Sequence, residues 1–394
     1  LFDRPTVAAL TDRLARLLEA VAADPGIRVA DVDLLAVGEA DRLLGWGDGA
    51  EAGTGRVHEV FQRRVVVDPA ATAVVCGTDR LTYDGLNTAA NQLARHLLSL
   101  GVRRGDVVGV LLPRGIAMAT AVLAVVKSGA AYAMLDPEFP DARLTELTTD
   151  AAVTVVITAT ELANRISHPT VNIDKPVWND LPTDDPGVTG DERDAACVMF
   201  TSGSTGRPKG ALSSHRAVVG TLTEQSYVDF NPGAVWLQCA PVSWDAFALE
   251  FWGPLLSGGV CLLQPGQRPQ ADQIANLVTK HAVDTMFLST GLFNLMVDEF
   301  PTVFTTLRQV MTGGEPPSLE HIRRIHRDQP HLRLVHVYGP VESMIFTHAY
   351  PIVEPPNTAL PVGTPIADRR CAPAILSRGA GKGRSAPLAA VSRR

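Results

Sequence analysis

Apolar positions recur at helical spacing near the start of the chain. Val7, Leu10, Leu14, Leu17, Leu18 and Val21 share one face, so the spacing predicts an amphipathic helix over residues 6–22. Pro5 suits its first turn, and Asp24-Pro25-Gly26 ends it. The Gly-rich stretch 45–53 has no period and reads as a linker. Beyond it the pattern changes to short, unbroken apolar runs. They predict strands at 74–76, 107–112, 153–158, 195–200, 236–240, 260–263, 285–288, 307–311 and 332–337. Helical patterns lie between them: one opened by Asp84 as N-cap, then 116–127, 246–256, 271–281 and 318–327. Strands that are apolar on both sides, separated by helices, belong to sheets covered on both faces. The predicted fold class is α/β, with two doubly wound, mixed or parallel sheets and flanking helices.

Composition sharpens this picture at one end. The 394 residues hold 35 Lys and Arg against 42 Asp and Glu, a net charge of −7. Seven of the basic residues and no acid fall in 369–394, which leaves the first 368 residues with 28 against 42, a net −14. An acidic body of this kind argues against nucleic-acid or membrane-surface binding. Twenty of the last 26 residues are Ala, Arg, Gly, Ser or Pro, too little to build a core, so 369–394 is expected to be a disordered basic tail. The chain as a whole is 46% hydrophobic and can bury a large core. Cys76, Cys197, Cys239, Cys261 and Cys371 are scattered without a CxxC pair, which points to reduced thiols and a cytoplasmic protein. No apolar run approaches the ~18 residues of a membrane span.

The densest chemical signal is Thr201-Ser202-Gly203-Ser204-Thr205-Gly206-Arg207-Pro208-Lys209-Gly210, directly after the 195–200 strand. Its hydroxyls and flexible backbone N–H groups can converge on an anion, and Lys209 adds a mobile positive charge. Pro208 separates it from the Walker spacing, and it is not G-x-G-x-x-G. The plain alternative is a mobile Ser/Gly surface loop.

This decapeptide resembles the phosphate-binding signature of the adenylate-forming superfamily, which includes acyl-CoA synthetases, luciferases and the adenylation domains of nonribosomal peptide synthetases. Other segments point to the last group, in the family's order. Leu81-Thr82-Tyr83-Asp84-Gly85-Leu86 resembles its first motif. Val126-Lys127-Ser128-Gly129-Ala130-Ala131-Tyr132, with Leu135-Asp136-Pro137, resembles its second. Ser243-Trp244-Asp245-Ala246-Phe247, Val337-Tyr338-Gly339-Pro340-Val341-Glu342-Ser343 and Pro361-Val362-Gly363-Thr364-Pro365-Ile366 resemble later ones. The resemblance covers about 54–368. Residues 1–53 look like the end of a condensation domain plus a linker, without its His-His motif.

The resemblance implies ATP-dependent activation of an amino acid as aminoacyl-AMP, with ATP and Mg²⁺ as cofactors and carrier and condensation domains as partners. It assigns Thr201, Ser202, Gly203, Ser204, Thr205, Gly206 and Lys209 to the phosphates, and Glu342 with Thr201 to the metal. Lys209, Thr201, Thr205 and Glu342 would carry the catalysis. Tyr338 would stack on adenine, with Val337, Gly339 and the backbone of Gly313-Gly314-Glu315 close to the nucleotide. Asp245 would pair with the substrate's ammonium, and Ala246, Leu249, Phe287, Met311, Gly313, Val337, Ile345 and Phe346 would complete the pocket. Apart from Asp245 these are apolar, which implies valine, isoleucine or leucine; such pockets separate neighbours by only ~1–3 kcal/mol per methylene. The plain alternatives are a core aromatic for Tyr338, a helix-start acid for Glu342, a turn for Gly313-Gly314 and an N-cap for Asp245.

His336, Val341 and Trp244 depart from the family's usual Asn, Thr and Phe. After Asp368 the family continues with a ribose-binding aspartate and a small subdomain carrying a catalytic lysine; here the basic tail follows. The expectation is a truncated domain, with a tail that is a reading-frame product. Two other readings stay open: a noncatalytic ATP- and amino-acid-binding remnant, and an acyl- or aryl-acid-CoA ligase, against which Asp245 argues. His215 beside Ser213-Ser214 receives no catalytic role, because no G-x-S-x-G is present.

Overall fold

The computed structural model describes residues 4–47, 49–201 and 209–369. Of the tail expected to be disordered, 369–394, Arg369 is described and buried, and the rest lies outside the described residues. Two compact units divide the chain, and the larger is Ala50–Asp368.

In the smaller unit the predicted first helix is α1 (Arg4–Ala23), whose apolar stripe of Val7, Leu10, Leu14, Leu18 and Val21 is exposed. An Arg13–Glu39 ion pair of 2.7 Å ties it to α2 (Glu39–Gly47). The helix α2 runs through Gly45-Trp46-Gly47, where the Gly-rich sequence predicted a linker. Glycine lowers helix propensity by about 1 kcal/mol without forbidding the helix.

The larger unit alternates strands with helices. It begins with α3 (Val57–Val67), β1 (Thr72–Cys76), β2 (Asp79–Thr82) and α4 (Tyr83–Ser99). Next come β3 (Val107–Leu111), α5 (Ile116–Lys127), β4 (Ala131–Met134), α6 (Asp141–Asp150), β5 (Val153–Thr158) and β6 (Thr170–Asn172). Strands β7 (Ala195–Thr201) and β8 (Lys209–Ser214) lead to α7 (His215–Leu222), β9 (Val235–Gln238), α8 (Ala246–Ser257) and β10 (Val260–Leu263). The last part holds α9 (Ala271–His281), β11 (Thr285–Ser289), α10 (Thr290–Glu299), β12 (Gln309–Gly313), α11 (Leu319–Asp328), β13 (Arg333–Tyr338), β14 (His348–Pro351) and β15 (Thr364–Pro365). Helix α4 is capped by Thr82, whose hydroxyl accepts from Gly85 N–H, and Asp84 lies inside its first turn.

Two sheets result, as predicted. One runs β15-β14-β13-β12-β11-β9-β10-β1-β2 and the other β6-β5-β3-β4-β7-β8. Both are parallel at the centre, with antiparallel strands at an edge. In the larger sheet β11, β12 and β13 pair in register, so Phe287, Met311 and Val335 form one row and Ser289, Gly313 and Val337 the second row after it. Alternation sends Phe287, Met311 and Val337 to one face, and Met286, Val310 and Leu334 to the other, where a second cluster forms with α9, α10 and α11.

The main core joins residues from both sheets with α4, α5 and α8. Helices α5 and α8 are apolar nearly all round, and every residue of α8 is buried. Two polar contacts cross this layer. Trp252 Nε1–H donates to the Tyr132 hydroxyl at 3.0 Å, joining α8 to β4. The fully buried Lys127 ammonium donates to Asp185 at 2.8 Å and to Gln62 at 3.0 Å. Replacing Trp252 by Phe removes both indole volume and that hydrogen bond, leaving the buried Tyr132 hydroxyl without its donor. The expected cost is about 2–4 kcal/mol, read as a lower urea midpoint at unchanged slope. A change below about 0.5 kcal/mol, the level of an indifferent surface substitution, would show that this bond does not hold the layer together.

Candidate functional site

The predicted site residues gather where strands of both sheets end. In doubly wound sheets the crevice outside the carboxyl ends of the strands is the usual place for a ligand. Thr201 is the last residue of β7 and Lys209 the first of β8, and the two are paired across the antiparallel ladder. The Thr201 hydroxyl donates to Lys209 O at 3.4 Å. Thr201 and Lys209 thus stand side by side at the ends of β7 and β8, with Lys209 exposed. Ser202, Gly203, Ser204, Thr205 and Gly206 lie outside the described residues. The turn Val341–Ser343, which carries Glu342, packs beside β8.

At the ends of β12 and β13 neighbouring backbone packs too closely for a side chain. A Cβ on Gly313 would stand 2.2 Å from Val337 O, and one on Gly339 would stand 2.5 Å from Ile345 O. Gly314 has φ +97°, where glycine is at ease and other residues are strained. The buried Thr290 fixes this turn, its hydroxyl lying 3.3 Å from Gly313 O and 3.0 Å from Glu315 O. Tyr338 is 53% exposed at the end of β13, so it is not a core aromatic. The backbone carbonyl of Tyr338 accepts from Thr347 N–H at 2.8 Å.

The predicted pocket residues form one group. Ala246, Leu249, Phe287, Met311, Val337, Ile345 and Phe346 are buried in the same cluster, and the Phe287 and Phe346 rings lie 5.9 Å apart. Asp245 stands at the entrance to α8 and is half-buried. Its side chain makes no capping hydrogen bond to the helix. Among the described residues no basic side chain pairs with it. Burial pushes its carboxyl up to about 6; the nearby Ala246 N–H and its own N–H act against this, and the charge of Glu342 adds to it. An acid in these surroundings favours a cationic partner.

His215 has a structural place. It is buried, its Nδ1 accepts from Val57 N–H at 3.3 Å, and its ring lies 5.5 Å from that of His58. Burial lowers His58 to about 3 and His215 to about 4, so both are neutral at pH 7. Ser214 caps α7 by accepting from Ala217 N–H, which leaves no Ser–His catalytic pair here. Cys76, Cys197, Cys239 and Cys261 are free thiols.

Three polar residues that sequence reasoning passed over lie close to the site: Thr290, Arg114 and Glu250. Arg114 follows β3, and its buried guanidinium donates to backbone carbonyls only. Glu250 is fully buried in α8; burial pushes it up to about 7 while the Ala240 N–H and the Arg114 charge pull the other way. The available signal was a lone charge within an apolar run, as in Phe247-Ala248-Leu249-Glu250-Phe251-Trp252. Among the described residues no cluster of three metal-ligating side chains occurs. Nor is any helix among them long and apolar enough to cross a membrane.

Comparison with known proteins agrees with this geometry. The family of AMP-binding enzymes matches residues 61–380. The chain is 31% identical over 374 residues to tyrocidine synthase 3 of Brevibacillus parabrevis, covering 93% of this chain and 6% of the relative. It is 30% identical over 374 residues to surfactin synthase subunit 2 of Bacillus subtilis (strain 168), covering 93% of this chain and 10% of the relative. It thus spans a tenth or less of the length of these relatives. The nonribosomal peptide synthetase FmoA3 in its alpha-methyl-L-serine-AMP bound form superposes with a TM-score of 0.83 at 26% identity, over 94% of this chain and 43% of that one. Its AMPPNP bound form gives 0.82 at 27%, over 94% and 41%. With the family matched over most of its length and both sheets reproduced in a solved relative, the chain belongs to the AMP-binding enzymes.

Proposed function

We propose that residues 54–368 are the large N-terminal part of an amino-acid adenylation domain, which activates an amino acid with ATP in nonribosomal peptide synthesis. A carboxylate oxygen of the amino acid attacks the α-phosphorus, the bond to the β-phosphate bridging oxygen breaks, and pyrophosphate leaves with that electron pair. The observation that carries this reading is Asp245, a half-buried carboxylate without a basic partner among the described residues, at the edge of an apolar cluster. In this reading it receives the substrate's α-ammonium. A fatty or aryl acid has no group for it, and the family resemblance to multimodular synthetases points the same way.

The remaining roles follow the site's layout. Thr201, Ser202, Thr205 and Lys209 bind the β- and γ-phosphates, with Gly203, Ser204 and Gly206 giving the loop its close backbone approach. Tyr338, exposed at its strand end, stacks on adenine, and Gly313-Gly314-Glu315, Val337 and Gly339 line the nucleotide. Glu342 and Thr201 would hold Mg²⁺. A single carboxylate on a turn beside the strand of Lys209 suits an ion carried largely by phosphate oxygens and water. Bound there, the ion would screen the triphosphate charge. The side chains of Ala246, Leu249, Phe287, Met311, Val337, Ile345 and Phe346 select a branched aliphatic substrate: valine, isoleucine or leucine. Residues 1–53 are the end of a condensation domain plus a linker, the acceptor thiol belongs to a carrier domain, and the assembly works in the cytoplasm.

Amino-acid-dependent ATP–pyrophosphate exchange, run over the twenty amino acids, tests the reaction. Exchange strongest with valine, isoleucine or leucine is expected. ATP binding without exchange would mean a noncatalytic remnant, and exchange with fatty or aryl acids alone would overturn the reading. A second test uses the charge of Asp245. Below about pH 6 the carboxyl is protonated and must lose its proton before it can pair with an ammonium. Amino-acid affinity, measured by calorimetry, should therefore rise from about pH 5 to about pH 7 and level off above. Asp245→Asn should weaken binding about 100-fold at about pH 7.5 and abolish the pH dependence, while ATP affinity changes less than about twofold. Unchanged amino-acid affinity in that variant would remove Asp245 from the site.

A further inference from the structure

The chain at the end of β9 is held from both sides by two buried side chains, Glu250 and Arg114. Beyond Gln238 the strand has no ladder partner, yet Cys239 and Ala240 stay buried. Their backbone groups still need hydrogen bonds. Glu250 Oε2 accepts from Cys239 N–H at 3.0 Å, from Ala240 N–H at 2.8 Å and from the Gln238 amide at 3.1 Å. On the opposite edge of the same peptides, Arg114 Nη2–H donates to Cys239 O at 3.2 Å and Ala240 O at 2.8 Å. Arg114 Nη1–H reaches Gln264 O at 3.1 Å and Gly266 O at 2.9 Å, beyond β10. Both side chains are buried, Glu250 fully, so these bonds face little competition from water.

What this grip presents is Asp245. Four residues separate Ala240 from it: Pro241, whose ring fixes φ; the fully buried Val242; Ser243; and Trp244, whose N–H donates to Pro241 O at 3.0 Å. Immediately after Asp245 begins α8, and five residues along is Glu250, which returns to 239 and 240. The segment is thus closed on itself around Asp245. Packing alone does not fix it, because a cavity of about 60 Å³ remains between Cys239, Ala240, Trp244, Glu250 and the pocket residue Phe287.

We propose that Arg114 and Glu250 are positioning residues that set the place of the Asp245 carboxylate, and with it affinity for the amino acid rather than for ATP. This rests on the reading of Asp245 given above. The test uses the full chain with Glu250→Ala and Glu250→Gln. One readout is hydrogen–deuterium exchange in unliganded protein over 239–247, compared with the strands β3 and β12. The other is calorimetric titration with L-valine, L-isoleucine and L-leucine, and separately with ATP.

In Glu250→Ala, exchange over 239–247 should quicken about tenfold or more with the two reference strands unchanged. Affinity for the amino acid that binds should fall about tenfold, with ATP affinity within about twofold. Glu250→Gln, whose amide oxygen can take the same N–H groups, should stay near the parent in both. Exchange that is unchanged, or that rises equally everywhere while both affinities fall together, would overturn the proposal. If Glu250→Ala does not fold, Arg114→Lys keeps the charge but cannot span the same carbonyls, and it must show the same split. Local quickening in a chain that binds none of the three amino acids would support the grip and overturn the substrate reading. Normal binding by both chains, with exchange unaltered, would do the reverse.

Discussion

Parallel strands present a difficulty at their carboxyl ends. The ladder stops, the chain turns, and backbone groups that are still buried must find partners elsewhere. The candidate site is built from answers to that constraint. At β9 the partners are Glu250 and Arg114, at β12 the Thr290 hydroxyl, and at β13 Thr347. Each answer fixes a short segment that carries a predicted site residue: Asp245, Gly313 to Glu315, and Tyr338 respectively. Arg114 is notable for its reach, since it stands at the end of β3 in one sheet and holds the ends of β9 and β10 in the other.

Charge follows the same geometry. Glu342 is close enough to Asp245 to disfavour its ionisation, and the acidic body offers little to offset this. Arg114 forms no ion pair with either, and its two Nη groups are committed to carbonyls. The proposed ligands resolve this by bringing cations: an ammonium at Asp245 and a metal with the nucleotide at Glu342. A cation at Glu342 would also withdraw its repulsion from Asp245, so occupancy of one site should ease ionisation at the other. The adenylate reaction needs both ligands together, and this coupling would favour their joint occupancy.

The fold was legible because the strands are short apolar runs and the helices carry period or length; strands 107–112, 153–158 and 260–263 were read to within a residue. The misreadings have local causes. Residues 45–47 are helical despite two glycines, and Thr82 takes the cap that Asp84 also fits. Strand β9 ends at Gln238 rather than Ala240 because side chains replace its ladder there. The pocket group came from motif resemblance, and the structure gathers its apolar side chains into one cluster. Arg114, Glu250 and Thr290 were not legible. Arg114 meets its partners 125 to 153 positions away, and no local pattern announces such contacts. The plain reading of Asp245 as an N-cap failed on the absent capping bond, which only coordinates reveal.

The turn between β13 and β14 joins the exposed Tyr338 to the apolar cluster, the two proposed sides of the site. Met344 and Ile345 have φ of 55° and 69°, a region costly for any residue with a Cβ and more so for a β-branched one. Such conformations cost on the order of 1–3 kcal/mol each and persist only where their surroundings enforce them. Here burial of Met344, Ile345 and Phe346 offsets the strain, and Thr347 N–H closes the turn onto Tyr338 O. Gly339 is required because the turn's own backbone fills the space a Cβ would take. The strained turn therefore places Tyr338 outward and Ile345 and Phe346 inward within a short stretch of chain. A relaxed turn would need more chain, and that chain would separate the exposed aromatic from the apolar cluster. The strained turn thus sets an exposed aromatic and buried apolar side chains within a few residues of each other.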